Sequence, residues 1–260
     1  MARIPTSLRT FAALILLGAL AAVFVSLGNW QLNRAAQRQA TAQAIQSGRA
    51  APPLRLDAAT AATEFIAWRP AIADGTWMNA LTVLLQNRNL NGRAGYWVAT
   101  PLLIEPATNT AILVLRGWLA RPVGPGQALP SVRAPDGAQT IEGNLLERVP
   151  RLFELWSSAG NNPAGLPAAL PAPGQAMPQV QNLDLNEYAR ATGLKLLPMV
   201  LEQTSGGHDS LERQWQGPPV DADTNRGYAL QWFSFAGIAA VAWLVIAWRA
   251  MRRRTGRRRP

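Results

Sequence analysis

In the stretch NRGYALQWFSFA, Asn225, Tyr228, Ala229 and Trp232 fall at i, i+3, i+4 and i+7 and so share one face of a helix. Gln231 stands beside them, and its amide costs free energy in lipid unless it is paired. Near the other end of the chain, Trp30, Arg34 and Arg38 recur at four-residue spacing in NWQLNRAAQR, with Gln31 continuing from an apolar stripe. Rings, amides and guanidiniums in this arrangement suit holding a ligand or an interface. They also fit a plainer role, in which Tyr228 and Trp232 form an aromatic belt that fixes helix depth and the arginines snorkel to the membrane surface. Bond-breaking chemistry has few candidates. The 260 residues contain no cysteine and a single histidine, His208, which excludes thiolate sites, covalent haem attachment and most metal sites. A Ser-His-Asp triad would rest on His208 in a Gly-Gly-His-Asp turn, with no nucleophile-elbow sequence to serve. Asp221 and Asp223 sit together in a polar loop and read as solvating it, and no Gly-rich phosphate loop follows a strand. The chain reads as a non-enzyme.

Two elements must position these residues. No charge occurs from 10 to 33 or from 227 to 248, runs of 24 and 22 residues. As helices they extend about 36 and 33 Å, against a hydrocarbon core of about 30 Å. Competing readings are a cleaved secretory signal for the first and a buried core helix for the second. The tail at 1–9 and the tail at 249–260 carry nine arginines and no acid, while 10–248 holds 16 basic against 15 acidic residues, so the net charge of +10 resides in the tails. The positive-inside rule then places both termini in the cytoplasm and exports the segment between, 34–226, across the bacterial inner membrane into the periplasm. A basic tail beside a spanning helix is explained by orientation and anionic membrane lipid, without nucleic acid.

The exported segment reads as strand-rich. FIAWRPAIADGTW, ALTVLLQNRNL, AGYWVATPLLI, TAILVLRGWLA, QTIEGNLLER and LLPMVLEQ are short apolar or aromatic runs between Gly, Asn and Pro breaks, a pattern that favours antiparallel meanders. Residues 157–178, rich in Ala, Pro and Gly, read as a surface loop. Asp184 and Glu187 fit an Asp-x-x-Glu cap opening a short helix that closes at Gly193. In LRGW, Gly117 is expected to relieve crowding at a bend, with Arg116 and Trp118 serving the fold. The expected fold class is an α+β membrane protein: two transmembrane helices bracketing a β-rich, antiparallel, barrel- or sandwich-like extracytoplasmic domain.

Four stretches carry a resemblance. GNWQLNRAAQRQ at 28–39, NRNLNGRAGYWVATPL at 87–102, ILVLRGWLARP at 112–122 and GYALQWFSFA at 227–236 resemble, in order and from end to end, the Surfeit-locus family of cytochrome c oxidase assembly proteins. The resemblance implies an assembly factor for a haem-copper oxidase that assists maturation of the haem a sites in subunit I. Its implied partners are cytochrome c oxidase subunit I and other assembly factors, and its implied cofactor is haem a, held transiently.

Within that resemblance the implied haem a contacts are Trp30, Gln31, Arg34, Asn225, Tyr228, Gln231 and Trp232, with Arg34, Arg38 and Arg226 available to the haem carboxylates. One position departs from the family. Three residues before the Tyr of YALQW the family commonly has His; here Asn225 stands, and an amide is a poor axial ligand to iron. A different reading therefore stays open, in which the chain is a scaffold that contacts the oxidase without binding haem.

Overall fold

The computed structural model describes residues 6–122, 129–153, 165–171, 176–206 and 209–256. The chain divides into two compact units, Met1–Gln43 with Pro218–Pro260, and Ala44–Gly217. His208 and much of the 157–178 stretch lie outside the described residues.

The first unit is helical. Helix α1 covers Thr6–Ala50, continuing past the uncharged run through the polar stretch that ends at Ala50, and α3 covers Asp223–Gly256. Both are long and apolar enough to cross a membrane. Their apolar side chains are left bare: Phe11 is 62% exposed, Leu16 60%, Leu230 70% and Ile238 66%. So much exposed apolar surface requires a nonpolar surrounding, and the two helices support a two-pass membrane protein.

The second unit is a β-domain with one short helix. Its strands are β1 (Leu54–Leu56), β2 (Pro70–Trp77), β3 (Val83–Leu90), β4 (Arg93–Glu105), β5 (Thr110–Ala120), β6 (Ala138–Leu146), β7 (Gln179–Val180) and β8 (Lys195–Gln203). The order β2-β6-β8-β5-β4 closes on itself because β4 also pairs with β2, at Leu103 with Thr76 and Leu102 with Trp77. The 13-residue β4 makes this closure possible: its N-terminal half pairs with β3 and its C-terminal half reaches β2. Closure pairs both sides of these five strands, and the short β1 and β7 stand at the ends of the sheet. The antiparallel expectation holds for β3-β4-β5 and for β2-β6-β8, whereas β1–β2, β3–β7 and β5–β8 run parallel.

Side-chain alternation separates two of the three buried clusters found among the described residues of the β-domain. Ala71, Ala73, Leu102, Ile112, Val114, Ile141, Leu145 and Leu201, drawn from all five barrel strands, form one buried cluster. Leu85, Ala99, Leu113, Leu115 and Val200 point the other way and pack with Tyr188 and Ala191 of α2 (Leu185–Thr192). Strand β5 feeds both clusters, which is why TAILVLRGWLA is apolar almost without alternation. Helix α2 forms as its sequence predicts: the Asp184 side chain accepts hydrogen bonds from the backbone N–H groups of Asn186 and Glu187, and Gly193 caps the other end. The Tyr188 hydroxyl donates to the carbonyl of Leu81, in the turn between β2 and β3, so the helix is held by a buried polar contact as well as by packing.

Gly117, paired with Val98 beside the register shift at Val98/Ala99, sits at φ +156°, where a Cβ would come 2.8 Å from Leu211 Cβ. Trp118 is buried at 2% exposure and donates its indole N–H to the Arg88 carbonyl at 2.8 Å. Arg88 itself is buried, stacks over Trp97 at 4.4 Å and donates to the carbonyls of Pro150 and Gln181. Burial lowers its guanidinium to about 10, so it stays charged at neutral pH.

Candidate functional site

The helical unit brings α1 and α3 together along a seam of small residues. On α1 the inward positions are Phe24, Gly28, Gln31 and Ala35; on α3 they are Asn225, Ala229, Trp232, Ala236 and Ala239. Both series advance by four then three, the period at which two long helices stay in register over several turns. Small side chains let the backbones approach closely. A Cβ on Gly28 would lie 2.7 Å from the Phe233 ring, so this approach uses the missing side chain.

At the polar end of the seam the contacts become hydrogen bonds. Asn225 is buried at 8% exposure, and its Nδ2 donates to Gln31 Oε1 at 2.5 Å. Its Oδ1 is also buried and has no partner among the described residues. Arg226 donates to Gln39 Oε1 at 2.7 Å and pairs with Asp223 at 2.9 Å. Arg38 donates to the Asp221 carbonyl at 2.8 Å. The Asp221 carboxyl accepts from the Thr224 hydroxyl and the Asp223 N–H, which hold it below the usual carboxylate range. Asp221 and Asp223 thus cap and pair at the start of α3 instead of merely solvating a loop.

Two turns along α3 from Asn225, Trp232 stacks on Phe24 with ring centroids 5.8 Å apart and meets Phe235 edge-on at 6.0 Å. A small apolar groove of about 370 Å³ continues the seam between Leu17, Phe24, Phe235 and Ile238.

Of the residues singled out by sequence, the structure brings together Asn225, Gln31 and Trp232. It does not bring Trp30, Arg34, Tyr228 or Gln231 to them; all four are exposed on the outer faces of the helices. Arg34 donates to Gln37 Oε1 at 3.4 Å. Sequence reading assigned no role to Phe24, Gly28 or Gln39, and took Asp221 only as solvating its loop. The recurrence of small residues seven apart, Gly28 with Ala35 and Ala229 with Ala236, was the available signal for the seam. Among the described residues no group of three His, Asp or Glu side chains could hold a metal ion.

The sequence model of the SURF1 family matches residues 18–237, which is most of the chain: the greater part of α1, the whole β-domain and the first part of α3. No curated protein matches the chain.

Proposed function

We propose, from the premise that this chain belongs to the SURF1 family, that it is an assembly factor for a haem-copper cytochrome c oxidase and assists insertion or stabilisation of haem a in subunit I. The family is one of cytochrome oxidase assembly factors and not of catalysts. The match over residues 18–237 is the observation that carries the proposal. In this reading the two helices sit in the bacterial inner membrane, the arginine-rich termini face the cytoplasm and the β-domain stands in the periplasm, where it meets subunit I and other assembly factors.

The residues of the helical unit fit haem a only in part. An axial ligand at position 225 does not fit: Asn225 offers an amide in place of an imidazole and donates it to Gln31. The exposed Arg34 fits a haem carboxylate, and the exposed rings of Trp30 and Tyr228 fit the apolar macrocycle. The role proposed for these residues is therefore to contact and orient the group during transfer, with iron ligation left to the recipient.

A second reading, a scaffold that holds the oxidase polypeptide without touching haem, draws support from the same Asn225–Gln31 bond, since a site committed to joining helices needs no ligand. Purification from cells that make haem a separates the two. The haem reading expects haem a absorbance in the purified protein, raised by Asn225→His and lowered by Trp30→Ala and by Arg34→Ala. Absorbance unchanged across all three variants would leave the scaffold.

A further inference from the structure

A cavity of about 640 Å³ lies in the β-domain and has no part in the helical seam. Its wall includes Trp77 at the end of β2 and Ile141 on β6, and its floor includes Arg116 of β5 and Arg213. The floor is unusual in charge. The Arg116 side chain is 2% exposed and that of Arg213 is 10%, and both turn to one carboxylate, Asp209. Asp209 is already engaged by Arg213 through two hydrogen bonds, at 2.7 and 2.9 Å, while Arg116 reaches it only at 3.4 Å. Burial works to raise the Asp209 carboxyl, but the bonds from Arg213 and the charges of Arg213 and Arg116 outweigh it and hold the group ionised. Arg116 otherwise donates to the Val132 carbonyl and lies over the Trp77 ring at 5.2 Å. Two buried cations thus share one anion. At the rim, Arg133 and Asp136 are paired with each other and cancel.

A guanidinium buried without full compensation is costly, and its field is not screened by solvent on the protein side. It projects into the cavity. The floor also holds two buried polar atoms without partners among the described residues, Arg213 Nε and Gln203 Oε1. A planar anion with an apolar body matches this pocket: the charge opposes Arg116, and the body lies along Trp77 and Ile141. We propose that this cavity is a binding site for a carboxylate-bearing ligand, with Arg116 as the charge that selects it and Trp77 as the wall that holds its body. The carboxylate belongs either to a small organic acid or to the end of a peptide.

The test uses the full-length protein in detergent, labelled so that indole N–H signals are resolved, with the Trp77 signal assigned by its loss in Trp77→Phe. Benzoate is titrated against benzamide, its uncharged equivalent in shape. A short peptide with a free terminal carboxylate is titrated against the same peptide amidated. The expected result is a saturable Trp77 shift with benzoate and none with benzamide. Gln139→Glu places a like charge on a partly exposed lining residue of β6, away from the buried floor, and should weaken benzoate by about tenfold. Ser131→Lys, at an exposed lining position, should tighten it several-fold. Tighter binding of the free-carboxylate peptide than of benzoate assigns the source to a polypeptide; binding of benzoate alone assigns it to a small acid. Equal shifts with benzoate and benzamide, no shift with any probe, or affinity indifferent to Gln139→Glu and Ser131→Lys would each overturn the site. None of these readouts depends on haem or on the oxidase.

Discussion

Glu202, on β8, is 9% exposed, and burial pushes its carboxyl up to about 7 while the charge of Arg49 pulls the other way. Unfolded, the group titrates near 4.5. The folded chain therefore keeps a proton that the unfolded chain has lost between those two values. Its contribution is fully present below about 4.5 and is lost as pH rises through about 7, at most about 3 kcal/mol for a shift of this size. Denaturant midpoints of the β-domain, followed by tryptophan fluorescence, should fall from pH 5 to pH 8, and Glu202→Gln should flatten that slope. The residue scale is also where sequence reading was least complete. Four-residue spacing placed Trp30 and Arg34 on one helical face but gave no sign of which face met α3. A 24-residue run without charge is apolar all round, so its pattern carries no phase. The small residues Gly28 and Ala35 set the phase instead, and they turn Trp30 and Arg34 outward.

Among the elements, β6 and β8 depend on a contact that only glycine permits. A Cβ on Gly143 would lie 2.2 Å from the Glu202 carbonyl oxygen, which is backbone and cannot rotate away. Gly143→Ala should push β8 from β6 and open the barrel at that pairing, costing about 1–3 kcal/mol as overpacking does. Equilibrium unfolding of the variant checks this, and amide exchange should quicken along β6 and β8 first. Strands were legible where their composition was: TAILVLRGWLA coincides with β5, and LLPMVLEQ lies within β8. Alternation in a strand reports its faces and not its neighbours, so the parallel β5–β8 pairing could not be read. The barrel closure through both halves of β4 was hidden for the same reason: one long strand serves two partners, and nothing in RAGYWVATPLLIE marks the change. Helix α2 was readable down to its caps because capping is a local rule.

For the molecule as a whole, topology and function are separate questions with separate tests. With nine arginines in the two terminal tails, a phosphatase that works only after export should be active when fused near residue 125 and silent at residue 260. The reverse pattern would turn the molecule over and put the β-domain in the cytoplasm. The family match bears on the larger claim, that this molecule serves a cytochrome oxidase. Deletion of the coding sequence, followed by reduced-minus-oxidised spectra of the membranes, tests it most directly. The account predicts a fall in haem a content and oxidase activity, with b- and c-type cytochromes close to normal and recovery when the full chain is restored. Loss of all cytochromes together, or unchanged haem a and oxidase activity, would contradict it.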